Sequence, residues 1–144
     1  KKKDTGTTAD KPGTKPETAI GEITDIAPII NSDNPGQELE IADYIQEGKI
    51  TIFDFYSDGC GPCRQIAPYL KSLDKKRSDV KVLKIDVNRS GVGGIDWGSP
   101  VLKQYGIRAI PYFVVYDESG DEIASGREGT QEVIRMLREE GIVR

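Results

Sequence analysis

Histidine is absent from this chain of 144 residues, and cysteine occurs only twice. A structural zinc site usually takes a tetrahedral set of cysteine or histidine ligands, so one chain of this composition cannot close such a site. Without histidine, proton transfer near neutral pH must use a carboxylate with a shifted pKa, a thiol or a lysine. We therefore expect a protein that holds no metal and no cofactor.

Long apolar runs and dense basic patches are also absent. No apolar run approaches the ~20 residues that a membrane-spanning helix needs. The formal net charge of -4 argues against nucleic acid as a partner. The length suits a single core of ordinary size, so we expect one folded domain that acts as a monomer.

Apolar content is lowest at the start of the chain. Residues 1–19 are mostly Lys, Thr, Pro and Gly, which cannot bury enough apolar surface to offset the entropy lost on ordering. We therefore expect a disordered polar tail at residues 1–19 and a folded domain at residues 20–144. No signal peptide is seen, so we expect that an upstream piece is missing and that the tail is a membrane tether or the remainder of a cleaved secretion signal. A vector-derived or variable terminus is the alternative.

The two cysteines, Cys60 and Cys63, stand between two patterned segments. Residues 50–56 are apolar and rich in β-branched and aromatic side chains, which predicts a buried strand. Residues 61–77 predict a helix, so Cys60 lies at a helix N-terminus, where backbone N–H groups and the helix dipole favour negative charge. A thiol in that position ionises more easily, and the thiolate is the reactive species. The pattern therefore favours dithiol–disulfide exchange.

Strand and helix patterns alternate along the rest of the chain. Ser99 and Pro100 are typical of a helix start, and Thr130 is expected to cap the last helix. Further strands are expected at residues 26–30, 39–41, 80–86, 112–116 and 122–125. This order predicts an α/β fold, with a central mixed β-sheet flanked by helices on both faces.

Four stretches carry a resemblance to the thioredoxin family. They are Phe-Asp-Phe-Tyr at 53–56, Cys-Gly-Pro-Cys at 60–63, Ile-Ala-Pro at 66–68 and Tyr-Gly-Ile-Arg-Ala-Ile-Pro at 105–111. The resemblance covers residues 36–144 and implies a thioredoxin-like fold and a thiol–disulfide oxidoreductase. Residues 35–49 resemble the secreted, membrane-tethered branch of the family, whose members are oxidoreductases of the bacterial cell envelope. This implies an extracytoplasmic location, periplasmic or membrane-anchored, with the cytoplasm as the alternative.

The roles of the motif residues follow from chemistry and from the resemblance. Cys60 is the better-placed nucleophile, which we expect to be exposed, with a pKa of roughly 7. Cys63 is then the resolving thiol, which attacks the mixed disulfide and frees the product. Gly61 and Pro62 form the active-site turn, and in the family this proline helps to make the dithiol a good reductant. Disulfide-containing proteins are the implied substrates, and an unidentified upstream thiol reductant is the implied electron donor.

Two other activities remain open. A bridge between Cys60 and Cys63 closes so short a loop that it removes little chain entropy, so a purely structural disulfide would stabilise the fold poorly. A non-catalytic binding module that keeps such a disulfide is nevertheless one alternative. A disulfide oxidase or isomerase on the same scaffold is the other.

Asp54 is an acid inside the apolar strand, where burial raises the pKa of a carboxyl. An edge position, at which the carboxylate reaches water, is the alternative. The resemblance implies that Asp54 acts through water as the base for Cys63, with a lysine of the neighbouring strand nearby. Val82 occupies the position of that lysine here, and Lys84 lies two residues on, on the same face.

Two prolines have expected conformations. The resemblance implies that Pro111 is a cis proline beside the dithiol, and that the backbone of Ile110 bonds to an extended substrate segment in the manner of an added strand. Pro68, inside the first long helix, is expected to kink it, because it removes one backbone hydrogen bond.

Two departures from the family surround the motif. Gly59 replaces a tryptophan that usually precedes the first cysteine, while Tyr56 keeps an aromatic that the family also has. The segment at residues 88–98 is longer than in the family and contains Trp97, the only tryptophan. We expect Trp97 either to pack at the edge of the domain or to cover the dithiol in place of the missing tryptophan.

Overall fold

The structure, a computed structural model, describes residues 26–144. The predicted tail at residues 1–19 lies outside the described residues, as do the first residues of the predicted domain. Within residues 26–144, no helix has the length and apolar character needed to cross a membrane.

Four strands form one mixed sheet: β1 (Ile50–Tyr56), β2 (Val80–Asp86), β3 (Tyr112–Tyr116) and β4 (Glu122–Ser125). Their order across the sheet is β2-β1-β3-β4. β1 pairs in parallel with β2 and antiparallel with β3, and β4 pairs antiparallel with β3. The bounds of all four strands agree with the prediction, and the mixed sheet with its helices confirms the predicted fold class.

Helices cover both faces of the sheet: α1 (Gly61–Lys76), α2 (Pro100–Gln104) and α3 (Gly126–Glu139). Successive side chains of a strand point to opposite faces. Ile52 of β1 therefore joins a core cluster with α1 and α3, whereas Phe53 joins a second cluster with α2. The strand that leads to the cysteines is thus buried on both faces.

α1 connects this core to the cysteine motif. Pro62 lies in its first turn, where backbone N–H groups have no partner within the helix, so the missing N–H of proline costs no hydrogen bond. The helix continues past Pro68 to Lys76, as the apolar spacing predicted. Its buried face consists of Cys63, Ala67, Leu70 and Leu73. Burial of each of the two leucine side chains contributes about 1.5–3 kcal/mol.

The last helix begins earlier than predicted. α3 starts at Gly126, and Thr130 lies inside it, where its Oγ1 donates to the Gly126 carbonyl at 3.2 Å. The prediction that Thr130 caps the helix is therefore wrong. Gly129 is needed where α3 crosses β3, because an added Cβ would come within 2.9 Å of the carbonyl carbon of Phe113.

Residues 26–30 form less strand than predicted. They contribute one parallel bridge, between Ile29 and Lys84, at the outer edge of β2. Ile30 N–H donates to the Lys84 carbonyl at 2.9 Å, and Lys84 N–H donates to the Pro28 carbonyl at 2.8 Å. These two bonds hold Ile29 beside the end of the sheet at which the cysteines lie.

The predicted strand at residues 39–41 is not part of the sheet: Glu40 is extended, and the chain enters a 3-10 helix at Ile41–Tyr44. The backbone N–H of Leu39 donates to Gln104 Oε1 at 2.8 Å, so a side chain rather than a strand satisfies it. Ser99 is the N-cap residue of α2, as predicted, but its side chain makes no capping hydrogen bond.

Candidate active site

Cys60 and Cys63 lie at the predicted strand-to-helix turn, joined as a disulfide with their Cα atoms 5.3 Å apart. Cys60 is the N-cap residue of α1, and Gly61 begins the helix. The backbone N–H of Cys63 donates to Cys60 Sγ at 3.2 Å. This N–H and the helix N-terminus stabilise negative charge on Cys60 Sγ once the bond is reduced.

Both cysteines are buried in this oxidised structure. Cys60 is 2% exposed and Cys63 is 1% exposed. They form a cluster with Tyr56, and the apolar side chains packed against that cluster are Ile29, Ile95 and Ile110. The prediction that Cys60 is exposed is wrong here, because apolar side chains from three separate segments surround it.

The segment at Ile110 and Pro111 lies beside the dithiol, as predicted. The Ile110–Pro111 peptide bond is cis. The Ile110 carbonyl oxygen lies 3.7 Å from Cys60 Sγ, so a reduced thiol there is placed to donate to it. The backbone expected to bind an extended substrate is therefore adjacent to the sulfur expected to react.

Asp54 is fully buried on the central strand β1, which excludes the edge position. Lys84 lies opposite it in the register of the parallel β1–β2 pair, and Lys84 Nζ donates to Asp54 Oδ2 at 2.7 Å. Burial raises the pKa of Asp54, and the charge of Lys84 opposes that rise. Among the described residues, Asp54 Oδ1 has no hydrogen-bond partner. Lys84 therefore pairs with the acid from a position two residues beyond Val82.

Tyr56 lies between this ion pair and the cysteines. Its ring belongs to the cysteine cluster, and Lys84 Nζ lies 4.1 Å from the ring centroid, within reach of a cation–π interaction. Burial raises the pKa of Tyr56, and the charges of Asp86 and Asp58 act in the same direction. Tyr56 is therefore a neutral phenol that connects the buried ion pair to the dithiol.

Comparison with known families agrees with this geometry. The family model described as Thioredoxin matches residues 37–139. The chain belongs to the thioredoxin family. Its dithiol, its cis proline and its buried acid thus occur together in a thioredoxin domain.

Several curated thioredoxins are similar in sequence. Thioredoxin-T of Drosophila melanogaster is 37% identical over 90 residues, which cover 62% of this chain and 50% of that protein. A thioredoxin of Streptomyces clavuligerus is 30% identical over 97 residues, which cover 67% of this chain and 81% of that protein. The match spans only 35% of the chloroplastic Thioredoxin F-type of Brassica napus, with 38% identity over 71 residues. The chain therefore spans half or less of the length of some relatives.

Solved structures of thioredoxins share the fold. Oxidised thioredoxin from Plasmodium falciparum superposes with a TM-score of 0.53 and 25% identity, covering 81% of this chain and 99% of that chain. Thioredoxin f2 from Chlamydomonas reinhardtii gives a TM-score of 0.55 with 23% identity, covering 82% of this chain and 99% of that chain. The thioredoxin-like fold predicted from the sequence is thereby confirmed.

Family membership and the Cys60–Cys63 pair together support a thiol–disulfide oxidoreductase. The resemblance to the cell-envelope branch is not shown by these relatives. The location of this protein in the cell therefore stays a prediction.

Gly59, which stands where the family usually has tryptophan, lies against the loop at residues 88–98. An added Cβ on Gly59 would come within 2.7 Å of Gly94 Cα. Ser57 Oγ donates to the Gly94 carbonyl at 2.9 Å, which fixes this approach. Only glycine fits at position 59, because the backbone of Gly94 fills the space that a Cβ would occupy.

Trp97 is 50% exposed, which agrees better with a position at the domain edge than with a cover over the dithiol. The side chain of the same loop that packs against the cysteine cluster is Ile95. Sequence reasoning missed Ile95, because an isolated isoleucine in a glycine-rich loop gives no signal of what it contacts. Ile29 was missed because a strand prediction for residues 26–30 does not say which neighbours its side chain contacts.

Proposed function

We propose that this protein reduces disulfides of protein substrates through the dithiol of Cys60 and Cys63. The observation that carries the proposal is the position of Cys60 at the N-cap of α1, 3.7 Å from the Ile110 carbonyl oxygen. The helix N-terminus activates the sulfur, and the adjacent backbone offers hydrogen bonds to an extended substrate.

The first step is attack by the Cys60 thiolate on one sulfur of the substrate disulfide. A new S–S bond forms between Cys60 and the substrate, while the substrate bond breaks and its other sulfur leaves as a thiolate. The Cys63 N–H, 3.2 Å from Cys60 Sγ, favours the thiolate before the attack. The product of this step is a mixed disulfide.

The second step is attack by Cys63 on Cys60 Sγ, which releases the second substrate sulfur as a thiolate. Cys63 must lose its proton first, and Asp54 is the proposed acceptor, through an intervening water. Burial raises the pKa of Asp54, which makes its carboxylate a better proton acceptor than an ordinary aspartate. Lys84 binds only Oδ2, which leaves Oδ1 to accept. Two electrons pass to the substrate, and the Cys60–Cys63 disulfide seen here is formed.

A dithiol reductant must then return two electrons and two protons to the Cys60–Cys63 disulfide. This reductant and the substrate proteins are the proposed partners, and the protein is proposed to act as a monomer outside the cytoplasm. The proposal of that location rests on the sequence of residues 35–49 alone. Fractionation of cells that express the full-length protein from its own gene tests it, and recovery in the cytoplasm alone would contradict it.

One observation favours a second candidate, a binding module with a structural disulfide: Cys60 is only 2% exposed. Reduction of insulin by the pre-reduced protein separates the two. The reductase should turn over, Cys60→Ser should abolish reduction, and Cys63→Ser should accumulate the mixed disulfide. The reduction potential measured against glutathione then separates a reductase from an oxidase or isomerase. Faster alkylation of Cys63 than of Cys60 would reverse the assigned roles.

A further inference from the structure

The ammonium of Lys84 has two partners inside the fold. Its Nζ donates to Asp54 Oδ2 at 2.7 Å and lies 4.1 Å from the centroid of the Tyr56 ring. Lys84 is 2% exposed, so water offers little in place of either partner. An aromatic face attracts a desolvated cation more strongly than one at the surface. The ring of Tyr56 therefore contributes to where the ammonium lies relative to the carboxylate.

The two oxygens of Asp54 differ in their contacts. Oδ2 accepts the hydrogen bond from Lys84, whereas Oδ1 is buried and has no hydrogen-bond partner among residues 26–144. An ammonium carries three N–H donors and could approach either oxygen. A contact that holds it on the Oδ2 side keeps Oδ1 open to the proton that Cys63 gives up.

The groups around Tyr56 show which charges act on it. The apolar side chains packed against its cluster with the two cysteines are Ile29, Ile95 and Ile110. Burial raises the pKa of Tyr56, and the carboxylates that add to this rise are Asp86, Asp58 and Asp54. The phenol is thus neutral whenever the thiols react, and the cation in contact with its ring is Lys84.

We propose that Tyr56 is a positioning residue for the second step of the reaction, whose ring holds the Lys84 ammonium on Asp54 Oδ2 and so keeps Oδ1 free to accept a proton. The proposal rests on the function proposed above and assigns a residue to its proton transfer. The proton leaves Cys63 Sγ and passes through the intervening water to Oδ1, and the thiolate left behind attacks Cys60 Sγ. The hydroxyl of Tyr56 has no part in this role, because the ring face alone attracts the cation.

Loss of the ring should weaken the effect of Lys84 on Asp54. Burial raises the pKa of Asp54, and the charge of Lys84 opposes that rise. Without the ring the ammonium is no longer held beside Oδ2, so the pKa of Asp54 rises further. Asp54 is then protonated at pH values at which it would otherwise accept a proton, and the second step slows there. The first step does not use Asp54, so its rate should change little.

Tyr56→Leu and Tyr56→Phe provide the test. Leu keeps an apolar side chain beside the cysteines without an aromatic face, and Phe keeps the face without the hydroxyl. Each pre-reduced protein is mixed with a disulfide-linked peptide at a series of pH values, and rapid acid quenching with mass spectrometry follows the mixed disulfide as it forms and decays. In Tyr56→Leu the pH midpoint of the decay should rise by about one unit, which corresponds to a cation–π interaction of about 1.4 kcal/mol. Tyr56→Phe should keep the midpoint of the unaltered protein.

Lys84→Met separates positioning from packing. Without the ammonium the ring has nothing to hold, so Tyr56→Leu should move the midpoint no further in the Lys84→Met protein. A packing role of Tyr56 would give the same change with or without Lys84, which would overturn the proposal. Asp86→Asn is the control for a second carboxyl whose pKa burial raises, and it should leave the midpoint in place.

Titration of Asp54 itself gives a readout that needs no activity. The shift of its carboxyl carbon, followed by NMR in the reduced proteins, should show a higher pKa in Tyr56→Leu than in Tyr56→Phe. This comparison uses single variants alone, so it decides the matter even where the double variant is too unstable to study. An equal pKa in the two variants, or a lower one in Tyr56→Leu, would overturn the proposal. Failure of the proposed function gives a different result, since no mixed disulfide would form and no insulin would be reduced.

Discussion

Lys84 and Asp54 form a buried ion pair across the β1–β2 pair, with Nζ and Oδ2 2.7 Å apart and side chains 3% and 0% exposed. Removing two charges from water is unfavourable, and their attraction compensates only while both are present. The pair therefore has a large effect on stability when one partner is lost and a small one when both are replaced by apolar residues.

Stability of the single and double variants at this pair is the first prediction. Asp54→Leu and Lys84→Met should each lower the free energy of unfolding by about 3 kcal/mol, because each leaves an uncompensated buried charge. The double variant should be near the stability of the unaltered protein, or above it. Urea unfolding of all four proteins gives the coupling energy, and simple additivity of the two losses would refute this account.

The pH dependence of stability is the second prediction. The folded-state pKa of Asp54 is raised by burial, so between the ordinary value of about 3.9 and the raised value the folded protein binds more protons than the unfolded chain. Stability contributed by protonated Asp54 is thus fully present at low pH and is lost as the pH rises through the folded pKa. Asp54→Asn should remove this component.

Lys84→Met supplies the matched control for this effect. The charge of Lys84 opposes the rise in the pKa of Asp54, so its removal should extend the pH range over which stability falls. Unfolding free energies measured in urea across pH give both curves. If the unfolding free energy of Asp54→Asn varied with pH as it does in the unaltered protein, the pKa of Asp54 would be the same in the folded and unfolded states.

The close approach of Gly94 to Gly59 leads to the third prediction. In Gly59→Ala the new Cβ overlaps the Gly94 backbone, so the variant should lose about 1–3 kcal/mol and its loop should move off the dithiol turn. Gly61→Ala is the control in the same turn, because nothing lies within 4 Å of its added Cβ. Urea unfolding measures the loss, and faster disulfide reduction by a small phosphine should accompany it. Equal stability of both variants would count against the contact.

Fluorescence of the only tryptophan is the fourth prediction. A disulfide quenches an indole that touches it, and Ile95 rather than Trp97 is seen to pack against the cysteines. Emission from the half-exposed Trp97 should therefore change little on reduction. Ile95→Trp combined with Trp97→Phe moves the indole to the cluster and should give a strong rise on reduction. A strong rise in the unaltered protein would instead place Trp97 over the dithiol.

The sequence predicted the sheet well because β1 and β3 are largely apolar runs, β2 alternates between apolar and charged residues, and turn residues separate the strands. The bounds of β1 and β2 follow directly from that pattern. The start of α3 could not be predicted in this way, because Gly126 and Gly129 are turn-forming residues by local pattern. Gly129 lies inside the helix, where its missing side chain allows close contact with the Phe113 carbonyl.

The site divides in the same way. The positions of Cys60 and Cys63 follow from the motif, whereas the partner of Asp54 depends on strand register, which the sequence leaves open. Without Lys84, replacement of Asp54 by an uncharged residue would be expected to stabilise the fold; the ion pair reverses that expectation. Ile95 could not be predicted, because the fold of its loop decides what it contacts.

The single bridge of Ile29 gives the domain a mechanical weak point. Only two backbone bonds hold residues 28–30 to β2, and Ile29 packs against the cysteine cluster. Tension applied to the chain ahead of Ala27 loads those two bonds before it loads the four-stranded sheet. The first segment to peel away under force would therefore uncover the dithiol on one side while the rest of the domain stays folded.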